Sequence, residues 1–465
     1  MDNNKTAVLD DQKGTDGDRI GNKEKLAYFS VNIGNIPIMT LIGSFLLIFY
    51  TDVVGLNPGA VATLFLITRV LDGANDPLMG YIIDHLPRTK WGRFRPYIIL
   101  GTLICGINYL ALWLGPSLAT SGKLIIAYVS YVFLGITFDL MDVPLNSLIP
   151  VMSTNQRDRD SLSIIKSLGY GVGGVLFTAP IVPLIMLFST QQEGYHFVII
   201  TAVTFVIVAS VIGTMGIKER VEPATKERYK MKDLLKMLSF KPVIGLFVTV
   251  LVVNIATSVA TAVAIFYFTY VCGDASLMSI FTLVQVMFAG AGFFLAMYLF
   301  RRLGNKRIFI TGIITSVIPM TIVLFIPPSA TTLLMVILGV SRIGIGFTSI
   351  VSYAMQADVM DYIDWKMGVR SEGAIAALFS FIVKAAMGIG GAIPGYVLAA
   401  TSYVPNQAQS ASALFGITLL FLGIPVIAAL IALVLVVLLY PIDSRMSKEM
   451  QAELARRRAL STSEK

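Results

Sequence analysis

The chain has 465 residues, of which 55% are hydrophobic and only 14% charged, and its mean hydropathy is +0.76. That composition excludes an ordinary soluble domain. The formal net charge of +8 would point to nucleic acid in a soluble protein, but here it falls in short loops, and no nucleic-acid partner is expected.

Residues 1–25 are polar and of mixed charge, and read as a disordered tail. The first 22 residues contain no apolar core, so no cleavable signal peptide is expected. Apolar runs of about 18 residues or more then recur, each long enough to cross a hydrocarbon core about 30 Å thick. The fold class is therefore an all-α membrane protein. About twelve spans are expected, at 26–52, 58–84, 96–115, 123–150, 165–189, 196–217, 241–270, 276–300, 307–326, 331–355, 373–400 and 412–440.

The connections alternate in charge. HLPRTKWGRFRP, STNQRDRD, KERVEPATKERYKMKD, RRLGNKR and DYIDWKMGVRSEG are basic or mixed, whereas TDVVGLNPG, GPSLATSGK, STQQEGYH, VCGDA, IPPSA and SYVPNQAQS hold a single basic residue, Lys123. Positive charge stays in the cytoplasm, so the first set, and with it both termini, is assigned there. The longest polar connection divides the spans into six and six. The expected organisation is a tail at 1–25, a bundle at 26–217, a cytoplasmic middle loop at 218–240, a second bundle at 241–440 and a basic cytoplasmic tail at 441–465. WGRFRPYIILG after the second span is echoed by LGNKRIFITG after the eighth, about 212 residues later. Two six-helix repeats leave such a trace, and they imply the major facilitator fold with a midplane cavity between halves. The setting is a multi-pass cell membrane protein, with the lipid bilayer as partner and a monomer as the functional unit.

The second span carries the first chemical signal. Arg69, Asp72 and Asp76 fall at i, i+3 and i+7 and share one helix face, with Asn75 beside them. Charge at membrane depth is costly, so such residues mark function by default. Two neighbouring carboxylates repel, and a site of this kind gains from taking up Na⁺ or a proton. An Arg–Asp pair that only locks helices together explains one aspartate and leaves the other without a role. The fourth span adds Asp139 and Asp142 at i and i+3. Pro144 and Pro150 near Asn146 free backbone carbonyls that a hard cation accepts as ligands. In the first span, Asn32 and Asn35 are amides suited to sugar hydroxyls. Tyr131, Tyr170, Asn254, Gln285 and Tyr353 are further cavity candidates. Lys384 is the only charge between Gly373 and Val404 and needs a carboxylate partner, for which Asp72 and Asp142 are the candidates. Gly388, Gly390, Gly391 and Gly395 behind it permit close helix contact. Lys166 has two open readings, a cavity residue or a cytoplasmic helix end.

FYTDVVGL at 49–56, TRVLDGANDPLMG at 68–80, WGRFRP at 91–96, MDVPLNSLIP at 141–150, DYIDWKMGVRSEG at 361–373 and the run IVKAAMGIGGAIPGYVLAATSYVPNQAQS together resemble the glycoside–pentoside–hexuronide:cation symporter family. The likeness covers about Tyr28 to Gln409. It implies a secondary transporter that moves a sugar, glycoside or hexuronide with Na⁺, H⁺ or Li⁺ by alternating access. It also implies cation binding at Asp72, Asn75, Asp76 and Asp142, with Na⁺ at the three aspartates, beside the sugar site, and a lysine at Lys384 that links the cation site to transport. Arg69, Asn146 and Lys384 are further expected to reach the sugar. The chain departs from the family at Asn32 and Asn35, where an acid commonly stands, and at Asp139, where members carry a neutral hydroxyl residue. The basic loop from His85 to Arg95 resembles the superfamily's cytoplasmic motif, in which Asp84 pairs with an arginine such as Arg93 as a gate.

Rival readings are an uncoupled facilitator or exchanger, and a cation-coupled carrier of a lipid-like solute. An enzyme is not expected. His85 and His196 lie in or beside loops with no nucleophile–base set around them, and Cys105 and Cys272 have no metal-ligand spacing. No cofactor beyond the coupling ion follows.

Overall fold

In a bilayer every backbone N–H and C=O must be satisfied within its own segment, which leaves helices as the form for these apolar runs. The computed structural model describes residues 20–85, 87, 89–221, 237–368 and 372–463. Side chains of some helical residues, Asp76 and Asp84 among them, lie outside that description, as do the first 19 residues and 222–236 of the middle connection.

The helices are α1 (Asn22–Leu41), α2 (Pro58–His85), α3 (Arg95–Leu118), α4 (Lys123–Asn146), α5 (Leu148–Met152), α6 (Gln156–Leu176), α7 (Ile181–Ile185) and α8 (Gln191–Gly216). They continue as α9 (Lys241–Phe266), α10 (Leu277–Leu303), α11 (Asn305–Val323), α12 (Thr331–Met367), α13 (Glu372–Ala400), α14 (Ala411–Thr418), α15 (Ile424–Leu439) and α16 (Ser444–Ser463). Wider turns extend α1 through Phe49–Val53, α9 through Tyr267–Val271, and join α14 to α15 across Leu419–Gly423. Among the described residues the only extended contact is a bridge between Thr89 and Gly92.

Eleven helical stretches among the described residues are long and apolar enough to cross a membrane. The expected span outside that set is α2, whose 28 residues would reach about 42 Å. Two spans differ most from their expected limits. The 165–189 span starts earlier, at Gln156, where the Asn155 side chain caps the helix by accepting the Arg157 N–H at 2.9 Å, and it breaks after Leu176 before Pro180 and Pro183. The 331–355 span runs on to Met367 and stops at Gly368, whose φ of +64° ends the helix. Neither helix has a reason to end at the lipid boundary, because its backbone bonds persist into water.

The chain forms two compact units, one of Met1–Ile42 with Ala74–Lys226 and one of Gly43–Gly73 with Glu227–Lys465. In the first, α1 packs on α8 and α6, and α3 on α4 and α8. Its core gathers Tyr28, Val31, Met79, Phe94, Ile98 and Leu145. Backbones meet closely, since a methyl on Gly101 would lie 2.7 Å from the Leu140 carbonyl. In the second unit, α9 packs on α13 and α15, and α12 on α10 and α11. Its core includes Phe247, Phe309, Phe347 and Tyr440. Large apolar side chains left exposed on both, such as Ile107, Leu187, Phe294 and Phe325, have the bilayer as their natural solvent.

The two echoed segments, WGRFRP and LGNKR, do the same physical work. Arg95 donates to the carbonyls of Thr214 and Met215 at 3.0 Å each, at the C-terminal end of α8. Lys306 donates to the Tyr440 carbonyl at 2.6 Å, just past the end of α15. Each cation neutralises the exposed carbonyls closing the last long helix of its bundle.

Candidate functional site

The Asp142 carboxylate is the centre of a polar cluster inside the first unit. On α4, LMDVPLN sets Asp142 and Asn146 one turn apart, and Asn146 Nδ2 donates to Asp142 Oδ2 at 2.7 Å. From α1, Asn35 Nδ2 donates to Asp142 Oδ1 at 2.6 Å. From α6, Lys166 Nζ donates to Asn146 Oδ1, and the same ammonium lies 5.9 Å from the Tyr170 ring centroid. Lys166 thus joins the cluster through Asn146. Tyr131 is buried on the same α4 helix.

One turn away, Asp139 is buried and accepts from Asn75 Nδ2 of α2 at 3.0 Å. The amides that surround these acids leave acceptors over. The Oδ1 atoms of Asn32 and Asn35 are buried without a hydrogen-bond partner among the described residues, while Asn32 Nδ2 is held by the Tyr28 carbonyl at 2.7 Å. Leaving a buried carbonyl without a donor costs about 1–3 kcal/mol, so a donor or a cation placed against these oxygens would be favourable.

In the second unit Arg69 and Asp72 pair along α2, Nη1 to Oδ2, at 3.2 Å. Helix α13 runs antiparallel to this stretch. Methyl groups placed on Gly395 and Gly388 would meet Ala62 at 2.8 Å and Arg69 at 2.6 Å. Lys384 is one turn before Gly388 on the same face of α13, so this register carries it to the level of Asp72. Gly390 abuts the Ile255 carbonyl, whereas Gly391 has open space. Asp76 and Asp84 belong to the set named from sequence, but their side chains lie outside the described residues.

Asn254 and Tyr353 line a cavity of about 240 Å³ in the second unit, together with Thr249, Thr257, Thr348 and Ser352; Gln285 is not in its wall. The hydroxyls donate to carbonyls of their own helices, as the fully buried Thr249 does to Gly245 at 2.6 Å and Ser352 to Thr348 at 2.7 Å. With those protons spent, a hydroxyl that reaches this cavity can only accept, which suits a hydroxyl-rich guest.

Three charged residues escaped the sequence reading. Glu219 accepts the backbone N–H groups of Arg93, Phe94 and Arg95 at 2.7, 2.9 and 2.9 Å. It is thus the anion at the N-terminus of α3. Gly92 makes room for it, with φ +109° and a would-be methyl 2.6 Å from the Glu219 carboxyl. Its only sequence signal was position, at the start of the charged middle connection KERVEPATKERYKMKD. Glu219→Ala is expected to lower stability by about 1.5–3 kcal/mol, the worth of hydrogen bonds to a charge. Thermal unfolding in detergent measures this, and an unshifted midpoint would show that water replaces the carboxylate. Asp52, in FYTDVVGL, accepts from Tyr403 Oη at 2.7 and 2.8 Å and from Tyr270, while Asn406 Nδ2 holds the Asp52 carbonyl at 2.7 Å. Arg342 was detectable from sequence alone, because it is a lone charge in an apolar span, the same test that picked out Lys384.

With this geometry in view, the sequence matches the MFS/sugar transport protein family across residues 27–444. The chain belongs to that family. It is 29% identical over 444 residues to the isoprimeverose transporter of Lactiplantibacillus pentosus, covering 93% of this chain and 90% of that one. To the glucuronide carrier protein homolog of Escherichia coli (strain K12) it is 29% identical over 418 residues, covering 89% and 91%. Among solved structures, a D-xylose–proton symporter superposes with a TM-score of 0.61 at 13% identity, covering 88% of this chain and 96% of that one. The last likeness speaks for the fold alone. The resemblance to the glycoside–pentoside–hexuronide:cation symporters therefore holds, and this member of the family is a multi-pass sugar transporter of the major facilitator fold and not an enzyme.

Proposed function

We propose that this sugar transporter is a symporter, in which Na⁺ or H⁺ moving down its gradient drives uptake of a sugar, glycoside or hexuronide. The observation that carries the reading is Asn35, which donates one side of its amide to Asp142 and leaves the other, Oδ1, buried with no partner among the described residues. A carboxylate with a spare hard oxygen beside it is a seat for a small cation. Asp72, Asn75, Asp76, Asp139 and Asp142 form the cation-binding group in this proposal, with Li⁺ an acceptable substitute for Na⁺. Asn32, Asn35, Arg69, Asn146 and Lys384 serve the sugar, together with Asp72 and Asp142, while Asp84 and Arg93 contribute to cytoplasmic gating. Hydroxyl acceptors in the cavity of the second unit favour a polyol over a lipid-like solute.

Uptake of labelled glycosides into proteoliposomes tests the proposal. A Na⁺ or H⁺ gradient imposed alone should raise both the initial rate and the steady-state level of at least one sugar. Equal uptake with and without every gradient would mark the protein as an uncoupled facilitator.

A further inference from the structure

Arg342 sits on α12 eleven residues after Thr331, about 16 Å along the helix and so near mid-membrane depth. It is 7% exposed. Its guanidinium carbon lies 4.9 Å from the centroid of the Phe281 ring, and its Nε has no hydrogen-bond partner among the described residues. A cation–π contact offsets only part of the cost of burying a guanidinium. A charge kept there at a loss to stability implies a partner that arrives from outside.

The surroundings say what kind. Arg342 lines a cavity of about 70 Å³ whose other walls are almost entirely apolar, including Ala256, Met320 and Ala428. That space takes a few waters or one small ionic head group, but not a sugar ring. Its hydroxyls cannot serve an anion as they stand, because Ser316 donates to the Ser341 carbonyl at 3.0 Å and Thr348 to the Ile345 carbonyl at 3.1 Å. Arg342 is the donor left over. The small cavity also shares Val253, Thr257, Ile345 and Thr348 with the hydroxyl-lined cavity of about 240 Å³. One guest thus meets acceptors for its hydroxyls in the larger space and a guanidinium in the smaller one.

We infer that Arg342 binds the oxyanion of an acidic sugar, a carboxylate or sulfonate, whose ring occupies the adjoining hydroxyl-lined cavity. The inference rests on the proposed uptake of a sugar, glycoside or hexuronide and narrows that substrate class. A planar guanidinium matches a carboxylate through two parallel N–H bonds, which a lysine ammonium does not reproduce.

Thermal unfolding of the purified full chain, without any ion gradient, tests this. D-glucuronate, D-galacturonate and their methyl glycosides are compared at equal concentration with D-glucose, D-galactose and D-xylose, and with sodium chloride and sulfate alone. The wild type should bind a uronate more tightly than the matching neutral sugar. Arg342→Met should weaken that binding on the order of 10- to 100-fold, Arg342→Lys less, with neutral-sugar binding the same in all three. Ligand-free Arg342→Met should melt no lower than the wild type, since it removes a buried charge. Neutral sugars bound as well as uronates, with no dependence on Arg342, would overturn the inference and leave sugar transport standing. A shift saturated by chloride or sulfate that uronate does not extend overturns it too. So does loss of the fold in both variants, which would mean a structural arginine. Failure of every sugar to bind would overturn both the inference and the transport reading beneath it.

Discussion

Asp142→Asn is expected to abolish sugar accumulation while leaving exchange of sugar across the membrane measurable. In the wild type Asp142 is embraced by amides from two helices, Asn35 at 2.6 Å and Asn146 at 2.7 Å. An asparagine of the same shape loses the charge that a cation answers, and one of the two donors then faces another amide group. Hydrogen bonding across the cluster is rearranged but the volume is kept, so the fold should survive. One charge moving down a 100 mV potential supplies about 2.3 kcal/mol, which at about 1.4 kcal/mol per decade is roughly a 40-fold accumulation ratio. The variant's ratio should fall to one in proteoliposomes under a membrane potential, with counterflow of preloaded sugar continuing. Continued accumulation would remove Asp142 from the coupling site and leave Asp72, Asp76 and Asp139 as the candidate carboxylates.

Gly344→Val should be the most disruptive single change in the second unit. Helix α12 is clamped by backbone on two sides. A methyl on Gly344 would collide with the Gly312 carbonyl and lie 2.7 Å from the Ser316 backbone nitrogen of α11. One on Gly346 would meet the Ala289 carbonyl and lie 2.7 Å from the Phe293 nitrogen of α10. These atoms belong to helix backbones and cannot rotate aside as a side chain would. Separating packed helices to admit an isopropyl group costs about 3 kcal/mol or more, and in lipid no hydrophobic gain offsets it. The control is Gly290→Ala on α10, where nothing lies within 4 Å and helix propensity should make the change neutral or stabilising. Thermal midpoints of the two variants in detergent should diverge widely. Equal midpoints would mean that α10, α11 and α12 are not in backbone contact.

The membrane class was written in the composition, because each run of about 18 apolar residues has few alternatives to a helix in lipid. Charged residues inside those runs were legible for the same reason. Burial of charge is expensive enough that Arg69, Asp72, Asp142 and Lys384 stand out without any structure. Applied evenly, that rule would also have found Arg342. Helix periodicity put Arg69 beside Asp72, a pair that depends only on local spacing.

Contacts between helices distant in sequence were not legible, because periodicity says which face a residue occupies and not which helix it meets. Tertiary packing brought Asn35 across 107 residues to Asp142 and put Lys166 onto Asn146. It also set Glu219 under the α3 N-terminus and the antiparallel register that carries Lys384 to the level of Asp72. Thr249, Thr348 and Ser352 look in sequence like ordinary small residues of a membrane helix. Their protons are spent locally on carbonyls of their own helices, and only the packed bundle gathers these residues around one cavity. The sequence by itself thus determined solvent, segment type and the places where charge is out of keeping with lipid, all set by local free energies. Which of those charges meet, and what lies between them, was decided by helix packing, which depends on the whole chain at once.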